Sequence, residues 1–357
     1  MPKFSKLLVT DIYNTTREAV VINLRPENPL EFNFMQGQYL TFKKKIRGNQ
    51  IRRSYSICSS ESESLLQVAI KKVEGGVFSN WANTELQSGD FIYSLPPRGS
   101  FYADVEGIGE EYLAVAGGSG ITPILSILKT TLSKSSGSRF TLIYSNRNIN
   151  TVMFREELED LKNIYMSRLN LVHIFTEEKE NKDIFSSRLN VEKAQKLLRH
   201  LIKVDDIKLA FLCGPELLMS EISAALQNMG LKKTFIRREF FQSDNATVRR
   251  AIVHPDTKMD QHLKISEAKI TLDGDLHSFN FDKKSSLLQA ALDNAVDAPY
   301  ACRAGVCSTC KAKVTKGDVE MISNYSLEDH EVEQGFVLTC QAYAKSKKIS
   351  WDYDVGY

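Results

Sequence analysis

The chain lacks any run approaching the ~20 apolar residues that a membrane-crossing helix needs. Its first residues, Met1 to Asp11, also lack the apolar core of a secretory leader, because Leu7–Val9 is short and stands between polar residues. A cytoplasmic location without membrane attachment is therefore expected. There is little excess charge of either sign, with a net charge of +2 over 357 residues. That argues against nucleic acid as a main partner, because a phosphate backbone calls for a concentrated basic face. No internal repeat and no low-complexity stretch is present. The six histidines are scattered without ligand spacing and are read as structural or surface residues.

What is present is ordinary for a folded cytosolic protein, with 42% hydrophobic and 25% charged residues. The length suggests two or three domains. Charge divides unevenly: Ile265 to Tyr357 holds 10 basic and 14 acidic residues, a net of −4, while the rest carries +6.

Residues 1–106 read as short strands with turns between them. Lys6–Ile12, Ala19–Leu24, Tyr39–Lys44, Arg53–Ile57, Leu66–Lys72 and Phe91–Ser94 are rich in β-branched and aromatic residues. Gly37, Gly48, Gly89 and Pro96–Pro97 punctuate them, and a short helix is expected near Gly76. Many strands with little helix suggest a small antiparallel β-barrel. Residues 107–241 alternate instead. Strand runs at Tyr112–Ala116, Phe140–Tyr144, Leu169–Phe175, Leu209–Cys213 and Thr234–Arg238 are separated by helical patterns. Such alternation predicts an α/β domain with a parallel sheet. Residues 242–264 show no periodicity and read as a linker, giving the C-terminal segment freedom to swing. In residues 265–357, Asp273-Gly274-Asp275 marks a hairpin and Ser286–Asn294 a capped helix.

Six cysteines are present, and four of them form the strongest signal. Cys302, Cys307, Cys310 and Cys340 are spaced C-x4-C-x2-C, with 29 residues before the fourth. This is the plant-type [2Fe–2S] ligand spacing. Structural zinc more often uses paired C-x2-C units, and only one such pair occurs here. The intervening Arg303-Ala304-Gly305-Val306 and Ser308-Thr309 are mostly small, which lets backbone N–H groups turn toward the sulfurs.

Two further constellations carry phosphate chemistry. Gly117-Gly118-Ser119-Gly120-Ile121-Thr122-Pro123 follows a predicted strand and opens a helix. Glycines there let a pyrophosphate approach the backbone at a helix N-terminus. Cys213-Gly214-Pro215 ends a later strand, on the edge where such sheets bind ligands. In the barrel segment, Arg53 can pair with a pyrophosphate and Tyr55 can stack on a flat ring, while Gly75-Gly76-Val77-Phe78-Ser79 adds a second glycine turn.

In this order, Arg53-x-Tyr55-Ser56, Gly76-x-x-Ser79, Gly118-x-Gly120-x-x-Pro123, Cys213-Gly214-Pro215 and the four cysteines resemble the ferredoxin–NADP reductase superfamily. The C-terminal module identifies the version with a fused plant-type ferredoxin of β-grasp fold. The resemblance implies an oxidoreductase binding FAD, a [2Fe–2S] cluster and a nicotinamide cofactor. Arg53, Gly76 and Ser79 would hold the FAD pyrophosphate, Tyr55 would stack on the isoalloxazine, and Ser56 would lie near N5. Gly118, Gly120, Thr122, Gly214 and Pro215 would border the nicotinamide cofactor, and Cys213 would sit beside the carbon that gives up hydride. Glu239 and Phe241 match the family's Glu-x-Phe ending, where the aromatic covers the flavin until nicotinamide displaces it. Ala304 and Ser308 stand where relatives often have glycine. An arginine at 147 can pair with a 2′-phosphate, so NADPH is expected, with NADH possible. The implied electron acceptor is an oxygenase component, a di-iron epoxidase first and a ring- or steroid-hydroxylating oxygenase second. A carrier or redox sensor with vestigial sites is the alternative of another class.

Overall fold

The computed structural model describes residues 4–105, 109–177, 188–241 and 265–355. The linker expected at 242–264 lies outside the described residues. The chain divides into two compact units, one formed by Phe4–Ile51 and Tyr55–Phe241, the other containing the C-terminal sheet.

Six antiparallel strands come first: β1 (Ser5–Thr16), β2 (Ala19–Pro26), β3 (Tyr39–Ile46), β4 (Asn49–Ser56), β5 (Leu66–Lys71) and β6 (Phe91–Arg98). Their order is β4-β3-β6-β1-β2-β5. Just past β4, Ile57 bridges Val68 of β5, so the two edge strands meet and the sheet closes into a barrel. Closure leaves no open edge to attract other strands. Inside pack Leu7, Val20, Ile22, Leu40, Phe42, Val68 and Ile70, capped by the short helix α1 (Val77–Thr84) through Phe78 and Trp81.

Pro96 and Pro97 do not end a strand; they lie within β6. The reason is local. β1 pairs with β6 only as far as Ser94, and the β3 pairing slips in register between Tyr39 and Thr41. The prolines therefore stand where the ladder demands fewer N–H donors.

The same unit continues into a five-stranded parallel sheet. Its strands are β7 (Glu111–Gly117), β8 (Arg139–Asn146), β9 (Leu169–Phe175), β10 (Ile207–Gly214) and β11 (Ile236–Phe240), in the order β11-β10-β7-β8-β9. Helices α2 (Ile121–Lys134), α3 (Arg155–Ile164), α4 (Val191–Leu201) and α5 (Glu216–Asn228) cover it. One apolar cluster runs from Ala19, Val21 and Ala69 of the barrel through Phe101 and Ala103 to Ile124, Leu128 and Phe211 of the sheet domain. Barrel and sheet thus share buried surface.

The second unit is a five-stranded sheet in the order β13-β12-β18-β14-β16, built from β12 (Ile265–Leu272), β13 (Asp275–Asp282), β14 (Lys311–Lys316), β16 (Phe336–Leu338) and β18 (Lys348–Asp352). A small second sheet pairs β15 (Val319–Met321) with β17 (Ala342–Ala344). The β12–β13 turn is tight, with Asp273 and Gly274 both at positive φ. That geometry matches the twist of the flanking strands. Helix α6 (Leu287–Asp293) packs Leu287, Leu288 and Ala291 on the sheet. Its cap is Ser286, whose hydroxyl accepts from the Gln289 N–H at 3.2 Å. A last short helix, α7 (Asp329–Glu333), precedes β16. Among the described residues no helix is long and apolar enough to cross a membrane.

Candidate active site and iron–sulfur loop

The C-terminal ends of β7 and β10 form the nucleotide crevice. After β7, Gly118–Gly120 makes one tight turn and runs directly into α2. The backbones there are nearly in contact. A β-carbon on Gly120 would overlap the Cys213 carbonyl, and one on Gly214 would stand 2.9 Å from the Gly117 nitrogen. Only glycine lets these two turns stack. Pro215 precedes the first residue of α5, where a missing N–H is harmless. Thr122 is buried, and its hydroxyl donates to the Ser119 carbonyl at 3.0 Å, so it shapes the turn.

Register then assembles three polar groups. Cys213 pairs with Ala116 of β7 on one side and with Glu239 of β11 on the other. Neighbours in parallel register point to the same face. From the barrel, Ser56 at the end of β4 donates its hydroxyl to Glu239 Oε2 at 3.2 Å. Burial and, after it, the Glu239 carboxylate hold the Cys213 thiol well above its ordinary value. Phe241 follows β11 and packs, partly buried, on the apolar cluster shared by barrel and sheet.

On the barrel side, Tyr55 is half-buried and its ring lies 5.5 Å from that of Phe78 and 6.1 Å from Phe42, tilted in both cases. Those two rings fix its plane. Two residues earlier on the strand, Arg53 is half-buried and donates to the Arg52 carbonyl at 2.8 Å. Gly76 is the residue before α1, and a β-carbon there would press on Ser79 Oγ at 2.5 Å. The Ser79 side chain is turned inward, accepting from the Val73 N–H at 3.2 Å. The first turn of α1 has N–H groups without partners inside the helix, a geometry suited to phosphate.

In the second unit the four cysteines fall into two pairs. The thiols of Cys302 and Cys307 interact, as do those of Cys310 and Cys340. Two pairs suit two irons better than one tetrahedral zinc. The loop turns amides inward: Cys302 N–H points to Cys307 Sγ at 3.4 Å and Ala304 N–H to Cys302 Sγ at 3.3 Å. Arg303, Gly305 and Ser308 take positive φ to do so. Ser308, at φ 44°, thus holds a conformation glycine would adopt without strain. Contact with Cys302 lowers the Cys307 thiol below its ordinary value, while Cys302 and Cys340 are held well above it. Four crowded thiols cannot all ionise alone, and a bound cation removes that obstacle.

Three family models match the chain in succession. "Oxidoreductase FAD-binding domain" matches residues 7–102, "Oxidoreductase NAD-binding domain" residues 114–224, and "2Fe-2S iron-sulfur cluster binding domain" residues 270–345. The chain is 39% identical over 362 residues to a subunit of 1,2-phenylacetyl-CoA epoxidase from Escherichia coli (strain K12), covering 99% of each. The chain belongs to the ferredoxin–NADP reductase superfamily, in the form with a fused C-terminal [2Fe–2S] domain. The reductase is also 32% identical, over 90% of its length and 87% of the relative's, to the ferredoxin reductase component of 3-ketosteroid-9-alpha-monooxygenase from Mycolicibacterium smegmatis. Its fold matches phthalate dioxygenase reductase, with a TM-score of 0.61 at 22% identity and 98% coverage of both chains. FAD, a nicotinamide cofactor and a [2Fe–2S] cluster are therefore the cofactors of this oxidoreductase.

Arg147 of the reductase is exposed and ion-paired to Glu18 at 3.1 Å. Beside it stands a residue that motif reading missed. Lys71 ends β5, and its ammonium lies 4.0 Å from where a β-carbon on Gly118 would stand. Burial and the neighbouring Arg147 lower its pKa. A basic residue closing a strand just before Gly75-Gly76 was its only trace in the sequence. Also missed was the fastening of the loop after Tyr55-Ser56 to α2. Ser126 donates to the Ser59 carbonyl at 2.6 Å, Ser60 and Thr130 hydroxyls bond at 3.1 Å, and the buried Lys129 reaches Glu63 and Glu157.

Proposed function

We propose that this reductase passes electrons from NADPH, by way of FAD and its [2Fe–2S] centre, to an oxygenase component in the cytoplasm. The acceptor we infer is the di-iron component of a phenylacetyl-CoA epoxidase. The relative identical at 39% over 99% of both chains supports that choice. A steroid-hydroxylating oxygenase is the second reading, supported by the relative identical at 32%. The functional divisions we assign are residues 1–106 for FAD, 107–241 for the nicotinamide cofactor and 265–357 for the cluster, with 242–264 as linker.

The observation that carries the reading is the constellation at the strand ends: Ser56 bonded to Glu239, with Glu239 in register beside Cys213. FAD, when bound, accepts a hydride as a pair and releases electrons singly, which joins a two-electron donor to a one-electron cluster. The chain's own residues do the rest by positioning. Arg53 and the first-turn amides of α1, after Gly76, would hold the FAD pyrophosphate, and Tyr55 would offer its ring face to the isoalloxazine. Gly118, Gly120 and Gly214 admit the dinucleotide backbone, with Thr122 and Pro215 shaping the two turns. Lys71 and Arg147 supply the positive charge its phosphates need, and Arg147 is the residue we assign to the 2′-phosphate that marks NADPH over NADH. Glu239 holds the Ser56 hydroxyl in place beside the reacting atoms, and Cys213 closes the nicotinamide pocket as a neutral thiol that excludes water. Phe241, just past the end of β11, would lie over the flavin. Reacting atoms must be held within ~3–3.5 Å for such a transfer. Cys302, Cys307, Cys310 and Cys340 would hold the two irons.

An anaerobic titration with NADPH and then NADH, followed by absorbance and electron paramagnetic resonance, tests the relay. Flavin bleaching followed by a reduced [2Fe–2S] signal is expected. No bleaching with either nucleotide would return the chain to the class of carriers or sensors. Rescue of turnover in purified phenylacetyl-CoA epoxidase, against a ketosteroid monooxygenase, decides the acceptor.

A further inference from the structure

The C-terminal strand carries a fully buried tyrosine that none of the motifs uses. Tyr353 follows β18 and has no exposed surface, and its N–H donates to the Thr271 carbonyl at 3.0 Å. Its hydroxyl donates to Thr339 Oγ1 at 3.0 Å. Thr339, equally buried, donates its own hydroxyl to the Cys310 carbonyl at 2.9 Å, and its N–H reaches the same oxygen at 3.1 Å. Thr339 is also the residue before Cys340, and its carbonyl accepts from Leu288 N–H of α6 at 2.9 Å.

We propose that Tyr353 is a positioning residue for the iron–sulfur site. Through Thr339 it fixes the Cys310–Cys340 half of the ligand set and sets the potential at which that half accepts an electron. The inference rests on the reading that these cysteines hold a [2Fe–2S] cluster. The geometry leads there because one side chain joins both members of the pair. Thr339 is covalently bound to Cys340 and twice hydrogen-bonded to the Cys310 carbonyl, so it fixes the backbones of the two ligands relative to each other. A threonine hydroxyl can rotate between partners. The Tyr353 donor occupies its lone pair and leaves its proton aimed at Cys310. Hydrogen bonds behind metal ligands orient them and tune the metal. Plain core packing would not need the hydroxyl. Trp351, two residues earlier and just as buried, has no partner for its indole N–H among the described residues. Tyr353 differs from it in having one, and in the route that partner opens to the cluster loop.

Both O–H dipoles in the relay point their positive ends toward the ligand loop. Their loss therefore lowers the cluster's potential, because added electron density is less well compensated. The experiment uses the full chain loaded with FAD and cluster, comparing Tyr353→Phe, Thr339→Val and Thr339→Ser by anaerobic redox titration monitored by electron paramagnetic resonance. The expected result is a lower midpoint and altered g-values for Tyr353→Phe, a larger shift for Thr339→Val, and near wild-type behaviour for Thr339→Ser. Flavin bleaching by NADPH should keep its wild-type rate in all three, which separates the effect from general loosening. If Thr339→Val loses iron, Tyr353→Phe against Thr339→Ser decides alone. Unchanged midpoint and g-values in Tyr353→Phe, with its cluster intact, overturn the proposal while leaving the ligand assignment standing. A wild-type protein without any [2Fe–2S] signal overturns the ligand assignment and this inference with it.

Discussion

Ser56 Oγ and Glu239 Oε2 stand 3.2 Å apart, one at the end of a barrel strand and the other on the last strand of the parallel sheet. Their hydrogen bond ties the flavin side of the first unit to its nucleotide side. Ser56→Ala or Glu239→Gln should slow flavin reduction about 10- to 100-fold, the effect of losing ~1–3 kcal/mol of positioning. Stopped-flow bleaching with NADPH measures it. Rates within twofold of wild type in both variants would remove the pair from the hydride step.

Cys213 is expected to behave as a protected neutral thiol. Its folded pKa is raised above the ordinary 9.0 by burial and by Glu239. The sign follows: the fold favours the protonated form, so this contribution to stability is complete below 9.0 and is lost as pH climbs through the folded value. At about pH 8, iodoacetamide should leave Cys213 unlabelled in the folded protein and label it readily in denaturant. Mass-spectrometric mapping reads the outcome, and rapid labelling of the folded chain would contradict it.

Gly120→Ala should damage the nucleotide crevice without altering the cluster loop. The new β-carbon would overlap the Cys213 carbonyl, and neither backbone can yield easily. Overpacking of this kind costs about 1–3 kcal/mol. A lower melting temperature and a sharply raised KM for NADPH are expected, with the [2Fe–2S] spectrum after dithionite reduction unchanged.

Lys71 should give NADPH binding a pH dependence that an isolated lysine would not. Burial, and next Arg147, lower its pKa from 10.5, so in the free protein it loses its proton earlier than an ordinary lysine. An arriving phosphate restores the charge. Affinity for NADPH should therefore fall as pH rises through that lowered value, with proton uptake on binding. In Lys71→Met the fall should vanish and KM should rise about tenfold at neutral pH, the loss of roughly 1.4 kcal/mol. A KM profile identical to wild type would exclude Lys71 from the phosphate site.

Lys129→Met should loosen the barrel from α2. The lysine is 7% exposed and bonded to Glu63 at 3.0 Å and Glu157 at 2.8 Å, which are 38% and 34% exposed. Breaking a fully buried pair costs about 3–5 kcal/mol, and solvent around the two glutamates reduces this to about 1–3 kcal/mol. Burial alone would lower the lysine's pKa, but Glu157 and Glu63 together raise it above 10.5. The stabilisation is therefore full below 10.5 and lost as pH rises past the folded value. Denaturant unfolding of both proteins at neutral and high pH checks the difference.

Much of this molecule was legible in its residues. The spacing of Cys302, Cys307, Cys310 and Cys340, the strand–glycine–helix run at Gly118–Thr122 and the alternation of apolar residues are local signals. Such signals depend mostly on nearby positions, so the strands of the barrel and of the parallel sheet could be placed from the chain alone; in the C-terminal domain only β12 and β13 were placed, and the five short strands from Lys311 to Asp352 were not. Pro96 and Pro97 were misread as a stop because only the pairing of β6 with β1 and β3 reveals that their N–H groups are not needed. That the Ser79 hydroxyl accepts from the Val73 N–H was not legible either, because it depends on how α1 packs on the barrel. Register decided what no motif could: that Glu239 stands beside Cys213, that Ser56 reaches Glu239 across 183 positions, and that Lys71 faces Gly118. The same holds for Tyr353, Thr339 and Cys310, which share no pattern in the chain and meet only because β18 and the residues before Cys340 close on one core. The order of residues alone dictated which chemistry the protein carries, since ligand spacing and glycine turns are short-range requirements. Tertiary packing selected which side chains meet around that chemistry, because contacts between distant residues are set by strand order and burial.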